Sequence, residues 1–208
     1  SYIGGVFFVL ATELGIRFDT GAKIAVASRV PIGKGVSSSA ALEISVMQAV
    51  CAAYKIEIEP RELAILCQKV ENHVVGAACG VMDQMSCHFG EAGKLMALVC
   101  QPAEISGWLE IPDALDFWGI DSGVRHAVSG SDYSSVRTGA FMGYRIIADL
   151  SGLDVREVGP GVVEIDDEHW RGYLCNVSPD EYEVEFRDLM PDTMSGEGFL
   201  ARYRGMTD

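Results

Sequence analysis

Residues 30–43 read "VPIGKGVSSSAALE". Two glycines, three serines and two alanines stand there in order, between a β-branched run and a run with helical spacing. A plain connecting loop has no need of that density of small residues. Where a strand feeds a Gly- and Ser-rich turn that becomes a helix, the first N–H groups of the helix have no intrahelical partner. The helix dipole adds about half a positive charge at the same place. Together they make an anion site, and phosphate is its usual occupant. Gly33 and Gly35 let the main chain approach a ligand where a Cβ would stand in the way. Lys34 and Val36 sit inside the loop; Ser37, Ser38 and Ser39 add hydroxyls for phosphate or for a metal riding on it; Ala40 and Ala41 begin the helix without bulk. The competing reading is a capped helix after a glycine turn, a task that one serine satisfies. The segment is not a Walker A loop, because GxxxxGK[ST] does not occur.

Upstream of this stretch, "AKIAVASRVP" (22–31) alternates Ile24, Val26 and Val30 with Lys23 and Arg29, which predicts a strand. Residues 2–14 predict a helix. Downstream, Leu42, Val46, Ala49, Val50 and Ala53 recur at three and four, predicting a helix from about Ser38 to Tyr54. Pro60 opens another helix at its first turn, with Leu63, Leu66, Cys67, Val70 and Val74 along one face. Gly76 and Gly80 interrupt the pattern before the short run "VMDQM". "KLMALVC" (94–100) and "DFWGIDS" (116–122) predict strands, and residues 132–150 a helix. From Ser151 onward the chain is richer in Asp, Glu, Pro and Gly, with no tandem repeat.

Composition bounds the function. Of 208 residues, 49% are hydrophobic and 22% charged, the balance of a folded domain rather than a disordered one. The net charge of −14 argues against a nucleic-acid or anionic-membrane surface, which needs an excess of Lys and Arg. A small anionic ligand remains compatible with a local positive site. Six cysteines show no CxxC pair and no zinc spacing with the four histidines, and five lie in apolar or helical runs, predicting reduced, buried thiols. "VFFVLA" is far too short to span a bilayer and no signal peptide is visible, so a cytoplasmic location is expected. The chain opens without Met and closes without a stop-like motif, and both ends read as cuts within a longer protein.

"PIGKGVSSSAALE" resembles the second signature of the GHMP kinases, PxGxGLSSSAA, which wraps ATP phosphates. "CQKVENHVVGAACGVMDQM" (67–85) resembles the galactokinase branch, with its pattern Q-x-x-E-H-x-x-x-G-x-x-x-G-x-M-D-Q, and "GIDSGVRHAVSGSDYSSVR" (119–137) resembles that branch's next block. The wording of "MALVCQPAE", "FWGIDSG" and "GAFMG" is most similar to plant-type L-arabinokinases. The resemblance implies an α+β GHMP kinase fold, its N-terminal part (ribosomal protein S5 domain 2-like) over residues 1–85 and the start of its C-terminal domain over 86–208, incomplete at both ends. It implies ATP and Mg²⁺ as cofactors, and a small sugar as the partner molecule.

The same resemblance implies roles for single residues. Ser39 and Glu71 match the two magnesium ligands. From the residues alone, Glu71 lies near a helix C-terminus, where a carboxylate needs a positive neighbour; that neighbour is Mg²⁺, or Lys69 on a solvated surface. Asp83 matches the aspartate that takes the proton from the sugar's anomeric hydroxyl. Its apolar setting, "GVMDQM", is unusual for a charge, and the alternative is a helix cap after Gly80. Arg125 matches an arginine near the transferred phosphate, and an ordinary salt bridge is the alternative. Gln84 and Met85 read as packing and orientation. The expected function is an ATP-dependent sugar 1-kinase acting on L-arabinose, with galactokinase or a non-catalytic sugar and ATP sensor as alternatives. The first and third family signatures are absent from the chain, so this piece alone is expected to be inactive or very weak.

Overall fold

In a computed structural model, residues 1–124 and 131–207 are described, and they gather into two compact units that divide between Gly130 and Ser131. Within the first unit, the hairpin after residue 86 stays on the core through Met96, Leu98 and Ile105.

The first unit is mainly helical. Helix α1 (Tyr2–Leu14) begins at Ser1, whose Oγ accepts the Gly4 N–H at 3.3 Å. α2 spans Ser38–Tyr54 and α3 spans Pro60–Lys69, with the Glu59 side chain accepting the Glu62 N–H at 3.1 Å. α3 continues as a π-helical turn, Val70–Val75. Then come α4 (Met82–Phe89) and an antiparallel hairpin of β1 (Lys94–Val99) and β2 (Glu104–Glu110). Val6, Leu10, Met47, Val50, Leu66, Cys67, Val70 and Met85 form the core among them. Gly5 lets α1 close on the π-turn: a Cβ there would lie 2.6 Å from Val70 Cγ1, closer than any real contact. At the hairpin turn, the Arg61 guanidinium donates to Pro102 O at 3.1 Å and Ala103 O at 3.0 Å, tying β1–β2 to α3.

The second unit has α5 (Ser131–Leu150), a β3–β4–β5 sheet, and short helical segments. β3 (Val155–Gly159) and β4 (Gly161–Ile165) are antiparallel, and β5 (Gly205–Met206) joins β4 in parallel. Between them lie the short α6 (Pro179–Glu181) and α7 (Gly196–Tyr203). Tyr144, Ile147, Trp170 and Phe186 make one small core; Ile146, Phe199 and Tyr203 make another.

The α+β class stands, and the helices at 2–14, 38–54 and from Pro60 begin where the sequence places them. Three expectations are overturned. Residues 22–31 and 116–122 form no strand: a period-two pattern becomes a strand only where a neighbour supplies the ladder of hydrogen bonds, and among the described residues none pairs with either. Ile24, Trp118 and Ile120 are exposed accordingly. The second strand of the hairpin, Glu104–Glu110, was not expected at all. Finally, only Cys51 and Cys67 are buried; Cys79 is half-buried, and Cys87, Cys100 and Cys175 are exposed, though none of the six forms a disulfide.

Candidate functional site

The loop ahead of α2 turns through two left-handed glycines. Gly33 (φ 72°) and Gly35 (φ 71°) both take positive φ, which a glycine adopts without strain. Ser37 is also left-handed, at φ 59° and ψ 38°, and stands as the N-cap of α2 without a side-chain capping bond. None of the Ser37, Ser38 and Ser39 hydroxyls forms a hydrogen bond among the described residues, and all three serines are half-buried. The capped-helix reading therefore fails: the hydroxyls are not spent on the helix. Lys34, Gly35 and Val36 are exposed, Gly33 is half-buried, and Ala40 is fully buried, anchoring the first turn of α2 in the core.

Lys34 reaches across to Asp121, 2.7 Å from its Nζ. That ion pair and the Gly123 N–H, at 2.9 Å, hold the Asp121 carboxyl below its usual range. Asp121 sits at the end of "DFWGIDS" (116–122), whose pattern predicts a strand and assigns it no role. Arg125, the next candidate in that block, lies outside the described residues.

α4 lies along α2. Gln48 and His88 bond at 3.1 Å, and Cys87 Sγ lies 4.0 Å from the Ser37 carbonyl oxygen. Asp83 and Cys87 are one turn apart and so share a face of α4. Asp83 is half-buried on the first turn of α4, after Val81 has taken the N-cap position, so it is not the cap.

Between these helices lies a buried polar cluster. Glu43 and Gln84 are 0% exposed and Glu71 is 4% exposed. Gln84 Nε2 donates to Glu71 Oε2 at 2.9 Å and to Glu43 Oε2 at 3.2 Å. The Cys79 thiol also points at Glu71 Oε2, at 3.6 Å. Burial and the nearby Glu71 push this thiol up to about 12, so it keeps its donor proton. The irregular segment carrying Cys79 is clamped in turn: Asn72 Oδ1 accepts its N–H at 2.8 Å and Gln68 Nε2 donates to its carbonyl at 2.9 Å. Lys69 does not serve Glu71. Its ammonium pairs with Glu13 instead, which removes the surface-charge reading.

Glu43 was missed. Burial first, and then the field of Glu71, push its carboxyl up to about 8, against the lowering influence of the Gln84 amide. A signal for it did exist. The buried stripe of α2 runs through Glu43, Met47 and Val50, at the i, i+4, i+7 spacing, so the face is rotated from the expected one and Ala49 and Ala53 are exposed. A glutamate on that stripe must be neutral or paired. Tyr2 of α1 faces the same cluster, and burial with Glu71 and Glu43 raises its hydroxyl pKa.

Residues 1–91 match the family described as GHMP kinases N terminal domain. The chain carries a GHMP kinase N-terminal domain. Over the whole chain it is 48% identical to the L-arabinokinase of Arabidopsis thaliana, of which it spans 21%. It is 38% identical to the galactokinase of Chloroflexus aggregans over 73% of the chain and 38% of that protein. With the galactokinase of Thermococcus kodakarensis it shares 28% identity, over 92% of the chain and 53% of the relative. The chain thus covers less than two thirds of each of these relatives. No helix among the described residues is long and apolar enough to cross a membrane, and none of their His, Cys, Asp and Glu side chains form a group of three or more able to hold a metal ion.

Proposed function

We propose that the chain is part of an ATP-dependent sugar 1-kinase whose acceptor is L-arabinose. The observation that carries this reading is the start of α2: two positive-φ glycines ahead of a 17-residue helix without a side-chain cap, and three serine hydroxyls at its cap and first two positions that are uncommitted among the described residues. Free N–H groups, hydroxyls and the helix dipole there suit the phosphates of a nucleotide, with Gly33 to Ala40 as the cradle. Lys34, paired with Asp121, supplies a cation at its rim.

The acceptor's anomeric hydroxyl oxygen attacks the γ-phosphorus in line. Its proton passes to the Asp83 carboxylate, the bond from γ-phosphorus to the bridging oxygen breaks, and ADP leaves. Such a base contributes about 10²- to 10⁴-fold, and positioning with charge neutralisation supplies most of the rest. Arg125 is assigned to an oxygen of the transferring group, where a planar guanidinium fits.

The donor set fits a magnesium ion. Ser39 has an uncommitted hydroxyl, and Glu71 has one carboxylate oxygen, Oε1, that takes no hydrogen bond among the described residues. Two hard oxygen ligands, with nucleotide phosphate and water completing the shell, are what Mg²⁺ commonly accepts. When bound, the ion would neutralise charge on the phosphate oxygens.

Whole-chain identity with an L-arabinokinase favours arabinose over galactose as the acceptor. Galactokinase is the second reading, since galactokinases also align with most of the chain. The two sugars differ by one hydroxymethyl group, a difference worth only ~1–3 kcal/mol in a pocket. Six cysteines with no disulfide among them suit a reducing compartment such as the cytoplasm.

A kinase assay on the intact polypeptide across a panel of free sugars tests the reading. The expected result is ATP-dependent phosphorylation of L-arabinose at C1, with Asp83→Ala slowed about 10²- to 10⁴-fold. A full rate in the variant removes the base assignment, and nucleotide binding without turnover on any sugar selects the sensor reading.

A further inference from the structure

Glu71 differs from its buried neighbours in how its two oxygens are used. Both donors that reach it, the Gln84 amide and the Cys79 thiol, converge on Oε2. Oε1 takes no hydrogen bond among the described residues, whereas Glu43 Oε1 and Gln84 Oε1 are sealed in the interior. A carboxylate tethered by one oxygen has its plane restrained and its other oxygen aimed.

The tether is itself held. Gln84 hangs from α4, Glu43 from the third position after Ala40 on α2, and Glu71 from the π-turn. One amide nitrogen therefore links three elements through two acceptors, and those acceptors select the NH₂ end of the amide to face them. Glu43 lies one turn after Ser39 on α2, so the amide that restrains Glu71 is braced from the helix carrying the other oxygen ligand of the proposed ion.

We infer that Gln84 is a positioning residue for the metal site: braced by Glu43, it holds Glu71 by one oxygen and leaves the other directed at the ion. This rests on the reading of Glu71 as a magnesium ligand. Gln84 touches neither substrate nor metal and acts only through Glu71. Partners of this outer kind commonly change metal affinity by about 10- to 100-fold.

The test is Mn²⁺ binding, followed by electron paramagnetic resonance, to the full chain with a non-hydrolysable ATP analogue. Gln84→Met keeps side-chain length and removes the donor, and is expected to weaken Mn²⁺ binding about tenfold or more. Its far-UV circular dichroism should be unchanged. Glu43→Leu removes the brace and covers the case in which Gln84→Met fails to fold; it too should weaken the ion. Glu43→Gln, which can still accept from Gln84, should retain wild-type affinity. Folded variants Gln84→Met and Glu43→Leu with wild-type Mn²⁺ affinity would overturn the inference, whatever their thermal midpoints. Glu71→Gln separates the two levels. If it weakens Mn²⁺ while the Gln84 and Glu43 variants do not, only the inference falls; if it too leaves Mn²⁺ unchanged, the reading of Glu71 falls and takes the inference with it.

Discussion

Each unit of the chain holds a carboxyl group away from full solvent, and the two have opposite fates. In the first, Glu43 is fully buried beside another carboxylate and receives one shared amide donor. In the second, half-buried Asp167 receives the Tyr144 hydroxyl, the Trp170 N–H at 2.8 Å and the Gly172 N–H at 3.0 Å. Burial pushes both upward. For Asp167 the hydrogen bonds from Tyr144 and from the backbone N–H groups of Gly172, Trp170 and His169 outweigh burial, and hold it below its usual range. For Glu43 a single amide cannot do so, and the carboxyl rises to about 8. Depth, a neighbouring carboxylate and the number of donors act together: the deeper Glu43 beside Glu71 with one donor rises, and the shallower Asp167 with several donors falls.

That contrast breaks most severely at Asp167. Asp167→Ala leaves a tyrosine hydroxyl and at least two backbone N–H groups without an acceptor, and hydrogen bonds to charged groups are worth about 1.5–3 kcal/mol each. A loss of about 3 kcal/mol is expected in denaturant unfolding followed by Trp170 fluorescence, and a loss below about 1 kcal/mol would mean that water replaces the carboxylate freely. The sign of its pH dependence follows from the lowered pKa. Asp167 stabilises the fold above the usual carboxylate range and ceases to do so as pH falls through its folded value.

Glu43 should show the opposite slope. Between about 4.5 and about 8 the folded chain keeps a proton that the unfolded chain has released, so stability falls as pH rises through that window. One proton gives at most about 1.4 kcal/mol per pH unit. Glu43→Gln should remove this slope and gain about 2 kcal/mol relative to wild type on going from about pH 6 to about pH 8. Chemical denaturation in metal-free buffer at the two pH values measures it, and parallel curves for the two proteins would show that Glu43 ionises normally.

The smallest effect belongs to Lys34. Its pair with Asp121 is exposed on both sides, and such pairs contribute little to stability. Lys34→Ala should leave the thermal midpoint where it is while weakening nucleotide binding in a calorimetric titration. A lowered midpoint with unchanged nucleotide affinity would make this pair a fold contact rather than a part of the cradle.

Local signals were legible in the sequence because each has a local cause. Pro60 at a first turn, the 3.6-residue spacing of Leu63, Leu66, Cys67 and Val70, and the small residues 33–41 all act within a few positions of themselves. The strands were less legible, because pairing is non-local: "KLMALVC" found a partner in Glu104–Glu110, whereas "AKIAVASRVP" found none among the described residues. Glu43 was passed over for a related reason. Its neighbours Leu42 and Val46 suggested a face that left it outside, and only packing against α4 rotated that face inward.

The sequence by itself determined where α2 starts, that small residues and hydroxyls gather at its start, and which carboxylates follow it along the chain. Such features depend on residue type and short spacing, which backbone sterics and helix geometry turn into structure directly. Tertiary packing alone decided that Glu71 is buried rather than paired with Lys69, that Glu43 joins it, and that Gln84 bridges them. Those outcomes require α2, the π-turn and α4 to exclude water from one small volume, and the cost of a charge there depends on every group that closes it.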